Sequence, residues 1–195
     1  MVDRSVAFSM VCLVFVVVGP VGCDRGGGQP SSLAGQLLGG HVVEAAGLKF
    51  EVPVTWTPVP PRSSMRAAQV VIPGAGGDAE FAVFYFGAGR GGTVENNLAR
   101  WAAQVEMAPG REPSRDYFEH GGLAVTMITA QGTIKASGLG MGPHDAQPDS
   151  LLIGAVIEGP GGPWFFKATG PLKTLDPQRE AFVAMLKSAR PDAPS

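Results

Sequence analysis

Cysteine, histidine and charge are all scarce in this chain of 195 residues. It holds 2 cysteines, 3 histidines and 16% charged residues. Cys12 and Cys23 show no paired C-x-x-C spacing and the histidines form no H-E-x-x-H, so the common zinc signatures are missing. A formal net charge of −2 gives no reason to expect nucleic acid as a partner. No serine sits in a G-x-S-x-G elbow, which removes the most legible form of nucleophilic hydrolase. What is plentiful is apolar side chain at 45%, with 28 glycines and 17 prolines, a composition that builds a core joined by many turns and loops.

The longest charge-free apolar run, Val6 to Val18, lies near the start of the chain after Arg4. It is shorter than the roughly 20 residues that a transmembrane helix needs and has the length of a signal-peptide core. Val21-Gly22-Cys23 follows it and resembles the lipobox of bacterial lipoproteins, although Pro20 stands where an aliphatic residue is usual. That resemblance implies cleavage before Cys23 and acylation of its thiol. Cys12 would be discarded with the leader, leaving Cys23 without a disulfide partner. The organisation expected is therefore a signal peptide over 1–22, a lipidated Cys23 with a flexible tether to 46, one folded domain over 47–190 and a disordered tail over 191–195. The tether reading rests on RGGGQPSSLAGQLLGG, which is rich in glycine and serine and has little periodicity.

Within the domain, Leu48, Phe50 and Val52 alternate with Lys49 and Glu51, as in a half-buried strand. Gln69–Ile72 reads as a second strand. Ala79–Phe86 is apolar on both faces and belongs in the interior of a covered sheet. Thr93 is a helix N-cap, and the helix expected from Val94 to Met107 places Val94, Leu98, Trp101 and Val105 on one stripe. Tyr117-Phe118 and Leu123–Thr129 read as a hairpin turning at Gly121-Gly122. Leu151–Glu158 and Pro163–Ala168 read as another, and a last helix with Phe182, Met185 and Leu186 inward opens at Asp176-Pro177. This order predicts an α+β fold, a mostly antiparallel β-sheet flanked by helices.

Gly87-Ala88-Gly89-Arg90-Gly91-Gly92 matches G-x-G-x-x-G between a strand and a helix. The N-cap at Thr93 starts the helix after the glycines, and no regular βαβ succession follows, so the loop reads as a flexible turn and no cofactor is expected. The side chains selected as a ligand or partner surface are Arg90, Asn97, Arg100 and Trp164, the last because it follows a hairpin tip. No catalytic residue and no metal ligand is assigned. An alternative set for a hydrolase or a metal-binding lipoprotein is Asp116, Glu119 and His120 together with His144, Asp145 and Asp149 in the long loop from Ala136 to Ser150.

The F-x-x-P-x-x-W of Phe50, Pro53 and Trp56, the strand Trp164-Phe165-Phe166-Lys167 running to Gly170-Pro171, and the closing helix resemble the PsbP-like group, which includes DcrB-like bacterial lipoproteins. The resemblance covers about residues 47–190. It implies an α/β/α sandwich and a non-enzymatic role as assembly factor, accessory subunit or binding module, held at the cell envelope by the N-terminal lipid. The partner implied is an envelope protein or a small ligand.

Overall fold

Alternating apolar residues make strands that must bury at least one face, and this chain has enough of them for a large sheet. A computed structural model describes residues 40–137 and 145–192. The leader, Cys23, most of the tether and His144 lie outside the described residues.

In chain order the strands are β1 (His41–Ala45), β2 (Leu48–Val52), β3 (Thr57–Val59), β4 (Arg66–Ile72) and β5 (Ala79–Tyr85). Helix α1 (Val94–Ala102) separates these from β6 (Val105–Glu106), β7 (Ser114–His120), β8 (Leu123–Ile134), β9 (Gln147–Glu158) and β10 (Trp164–Pro171). The chain closes with α2 (Leu172–Leu175), a 3-10 turn (Asp176–Gln178), α3 (Arg179–Lys187) and β11 (Arg190–Pro191). One sheet of 8 strands runs β3-β4-β5-β10-β9-β8-β6, with β7 also paired to β8, and a sheet of 3 runs β1-β2-β11. Every pairing is antiparallel. The fold is α+β, a mostly antiparallel sheet with helices on its two faces.

The first face of the large sheet carries Phe81, Val83, Phe166, Ala168, Ile153 and Met127 and is covered by the small sheet and α3. Phe81 stands at its centre, with ring centroids 6.1 Å from Phe50, 5.7 Å from Phe166 and 5.6 Å from Phe182. The second face carries Ile128, Ala130, Leu152, Val156 and Phe165 and is covered by Leu98 and Trp101 of α1. Among the described residues no helix is long and apolar enough to cross a membrane.

The domain begins earlier than the sequence suggested. β1 lies inside the stretch read as tether, and its Val43 and Ala45 are buried. Ala46 and Gly47 make the turn to β2 with φ of 51° and 78°, the left-handed pair of a tight hairpin. The expected tail is also corrected at its start. Pro191 pairs with Leu48, the Asp192 amide donates to the Gly47 carbonyl at 2.8 Å, and Lys49 meets the Asp192 carboxylate at 2.7 Å. Helix α1 stops at Ala102, before the expected Met107, because Val105 and Glu106 pair with Ile134 and Thr133 of β8. Val105 still faces the core, now from a strand.

Thr93 caps α1 as its residue type predicts, the hydroxyl accepting from the Asn96 amide at 3.2 Å. Thr93→Ala should cost about 1 kcal/mol of stability in urea unfolding, whereas Thr93→Ser should cost less than half of that. Equal losses for both would mean that the threonine methyl, and not the cap, is what matters.

Candidate functional site

The helix covers only part of the second face. α1 packs over β8 and β9, and on the strands beyond them the same face also carries Lys167, Glu80, Gln69 and Arg66. Register decides what meets there. Gln69 of β4 pairs with Ala82 of β5, Ala82 with Lys167 of β10, Lys167 with Gly154 of β9, and Gly154 with Ile128 of β8. These five form one row on the same face. Lys167 is thus flanked by a methyl group on one side and by no side chain on the other.

The missing side chain at Gly154 is filled from above by Trp101. A Cβ added at Gly154 would lie 2.3 Å from Cε3 of that indole. Lys167 stands next to Gly154 in the row, and its Nζ donates to the Oε1 of Gln104, just after α1, at 3.1 Å. Burial of the stem pulls the Lys167 ammonium down to about 8. The Glu80 carboxylate acts in the opposite direction, and the Arg66 and Arg100 guanidiniums add to the lowering.

Glu80 is already engaged. Its Oε1 accepts from Arg66 Nη1 at 2.8 Å, and its Oε2 faces Arg62 Nη1 at 3.3 Å and Gln69 Nε2 at 3.2 Å. The buried Gln69 uses its Oε1 for the Arg62 amide and for Arg66 Nη1, both at 2.9 Å, which ties the β3–β4 loop to the sheet. The Arg66 guanidinium also lies 5.9 Å from the centre of the Phe84 ring. On the other side of the row, Arg100 of α1 donates through Nη2 to Oδ1 of Asn97. Lys167 and Arg100 therefore meet neutral amide oxygens, while the one carboxylate of the group serves Arg62 and Arg66.

The four residues selected from the sequence divide differently from expectation. Asn97 and Arg100 are brought together on α1, but Asn97 is buried, and its Nδ2 donates to the carbonyls of Gly91 and Thr93 at 2.9 Å each. It fastens the glycine loop to the helix and presents no surface. Arg90 is exposed on that loop. Trp164 is corrected outright. It is 1% exposed on the first face, stacked on Tyr85 at 5.7 Å, with its indole N–H donating to the Ala46 carbonyl at 3.2 Å. The β1–β2 turn lies over it, and β1 was the strand that the sequence concealed.

In the glycine loop, a Cβ at Gly91 would meet the Phe165 ring at 2.5 Å, so this glycine lets backbone lie against the sheet. The antiparallel neighbours of β5 leave the loop outside any parallel crossover, the setting of a dinucleotide fingerprint.

The alternative set does not assemble among the described residues, where no three His, Cys, Asp or Glu side chains stand in metal-holding reach. Asp116, Glu119 and His120 lie exposed along β7, and Asp145 and Asp149 are exposed before and within β9. Glu119 accepts from the Tyr117 hydroxyl, which raises the phenol above its usual range.

Lys167, Gln104, Glu80, Gln69 and Arg66 were missed as a group. The available signal was a lone lysine within the strand WFFKATG, and a glutamine inside AAQVVI. No family model matches the chain, and no curated protein does.

Proposed function

We propose that this protein is an exported, lipid-anchored lipoprotein whose α+β domain, of the PsbP-like kind, serves the cell envelope as a non-enzymatic binding or assembly-accessory module. The observation that carries this reading is Cys23 placed directly after the apolar run Val6–Val18 and ahead of a domain whose first described strand starts at His41. The segment 24–40 is then the spacer. At 3.3–3.6 Å per extended residue it spans roughly 55–60 Å at most, enough to hold the domain near a membrane while leaving it free to meet a partner.

Two shallow clefts on the described surface suit contact with a partner's side chain rather than enclosure of a whole ligand. They adjoin between the β7–β8 hairpin and α3 and hold about 140 and 120 Å³. Pockets that engulf a drug-sized ligand run to roughly 300–1,000 Å³. Those clefts are lined by Ser114, Thr129 and Arg179 on the side away from Lys167, and Arg179 is paired with Asp176 at 2.7 Å.

Fractionation and intact mass test the anchor. The wild-type chain should mature to a form that begins at Cys23, carries acyl chains and sediments with membranes. Cys23→Ser should move the protein almost wholly to the soluble fraction or leave its leader uncleaved, without acyl mass. An acylated wild type missing from membranes, or a Cys23→Ser protein retained with its leader removed, would sink the reading.

A further inference from the structure

We propose that β7 is a pairing edge for a second copy of this chain. The two β7 strands run antiparallel about a two-fold axis at Tyr117 and join the large sheets of both copies into one. The proposal goes beyond the binding-module reading, and its test does not depend on the anchor.

β7 has 7 residues, contains no proline and, among the described residues, pairs on one side only, with β8. The other outer strands of the large sheet are blunt: β3 has 3 residues including Pro58, and β6 has 2. The hairpin decides which backbone groups of β7 point outward. His120 and Leu123 close a two-residue turn in which Gly121 and Gly122 have φ of 59° and 78°, so this pair exchanges hydrogen bonds. Alternation then turns the amides and carbonyls of Ser114, Asp116 and Phe118 towards β8, and those of Arg115, Tyr117 and Glu119 away from it. Among the described residues no turn or loop bond takes up those three amides.

The outward residues complement themselves. With Tyr117 opposite Tyr117 of the second copy, Arg115 faces Glu119 and Glu119 faces Arg115, and each facing pair exchanges two backbone bonds. A cross-strand pair of opposite charge therefore forms twice. Neighbouring registers that keep the outward groups in phase do worse. A shift of two residues one way sets Asp116 against Asp116, and the other way leaves Arg115 facing Gly121. Charges on an edge strand keep indiscriminate partners away, and their order here admits one self-pairing. The groups are accessible: Tyr117 is 61% exposed, the Arg115 side chain 49%, and Glu119 is exposed as well. Arg115 meets Glu95 through Nη1 at 2.7 Å in a solvated pair, which leaves other guanidinium donors spare. Glu119 accepts from the Tyr117 hydroxyl through Oε1 and keeps Oε2 for the arginine.

The test is sedimentation velocity of the full chain at rising concentration, with detergent micelles in excess over protein. The wild type should pass from monomer to dimer. Tyr117→Pro removes an outward amide that β8 does not use, so the variant should keep its circular dichroism while self-association weakens by about ten-fold or more. Arg115→Glu and Glu119→Arg should each weaken it by about five-fold or more, because like charges then face each other twice. An equimolar mixture of those two variants should recover the dimer, because every facing charge pair in the mixed dimer is again of opposite sign. Misfolding of either variant could not produce that recovery. A monomer at every concentration up to about 0.1 mM, a dimer that Tyr117→Pro leaves unchanged, or charge variants that mixing fails to restore overturns the proposal.

Discussion

Lys167→Met should make the domain more stable at pH 7, by about 1–2 kcal/mol, although it deletes a hydrogen bond. Proton binding sets the sign of the effect. The ammonium titrates near 8 in the folded chain and at 10.5 in the unfolded one. Below pH 8 both states hold the proton, and the folded state bears the full cost of keeping it, on the order of 3 kcal/mol at 1.36 kcal/mol per pKa unit. Between pH 8 and 10.5 the unfolded chain binds more protons than the folded one, so stability from this group rises with pH across that window. Methionine matches the lysine stem in length and removes the cost, while losing the bond to Gln104, worth about 1 kcal/mol. Urea unfolding of both proteins from pH 6 to 10 reads the difference, in which the titrations of Lys49 and Tyr117 cancel. The gap between them should be widest below pH 8 and should shrink steadily above it. A Lys167→Met protein that is less stable at pH 7 would show that the wild-type ammonium is well compensated, by Gln104 and the Glu80 carboxylate together.

That a stabilising substitution should exist at Lys167 links the site to the fold. Selection tolerates an unfavourable charge where the charge has work to do, and local rules that fail in a strand mark the places to examine. In this sequence the failure was visible but unreadable. Lysine in WFFKATG looks like an ordinary outward residue of a half-exposed strand. Only the pairings of β10 with β5 and β9 show that its neighbours across the row are Ala82 and Gly154, and only α1 brings Trp101 and Gln104 to it. Such information is non-local. The local patterns fared better: Leu48, Phe50 and Val52 face inward as their alternation predicts, as do Leu98 and Trp101 at helical spacing and Phe182, Met185 and Leu186 near the end. The hairpin at Gly121-Gly122 closes with His120 opposite Leu123. β1 escaped because its turn is Ala46-Gly47 rather than an asparagine- or aspartate-glycine pair, and because the glycine-rich approach hid two buried positions, Val43 and Ala45. Trp164 was misplaced for the same reason, since the hairpin that buries it includes that strand.

Gly154→Val should damage the second face severely for a single change, costing about 3 kcal/mol. Glycine within a 12-residue strand weakens pairing and needs a reason. The reason here is Trp101, 4% exposed, whose Cε3 and Cζ3 lie 2.3 and 2.7 Å from where a Cβ would stand. Both atoms belong to a rigid ring that Leu98, Phe165 and Val156 help to enclose, so the ring cannot yield by a small rotation. Two outcomes are open to the mutant. Either the indole stays and the overpacked strand is strained by about 1–3 kcal/mol, or the indole leaves and α1 forfeits an anchor whose truncation costs about 3–5 kcal/mol. A double-mutant cycle with Trp101→Ala distinguishes this steric conflict from a general intolerance of side chains at 154. Once the indole is gone the valine has room, so Gly154→Val should cost far less in the Trp101→Ala background, with a coupling of about 1–3 kcal/mol. Additive losses would mean that position 154 is constrained by the strand alone. The same cycle bears on Lys167, because a ring displaced from Gly154 also draws Gln104 away from the ammonium. The Lys167 side-chain nitrogen resonance should then move in Gly154→Val, and the two halves of the second face would be shown to respond as one.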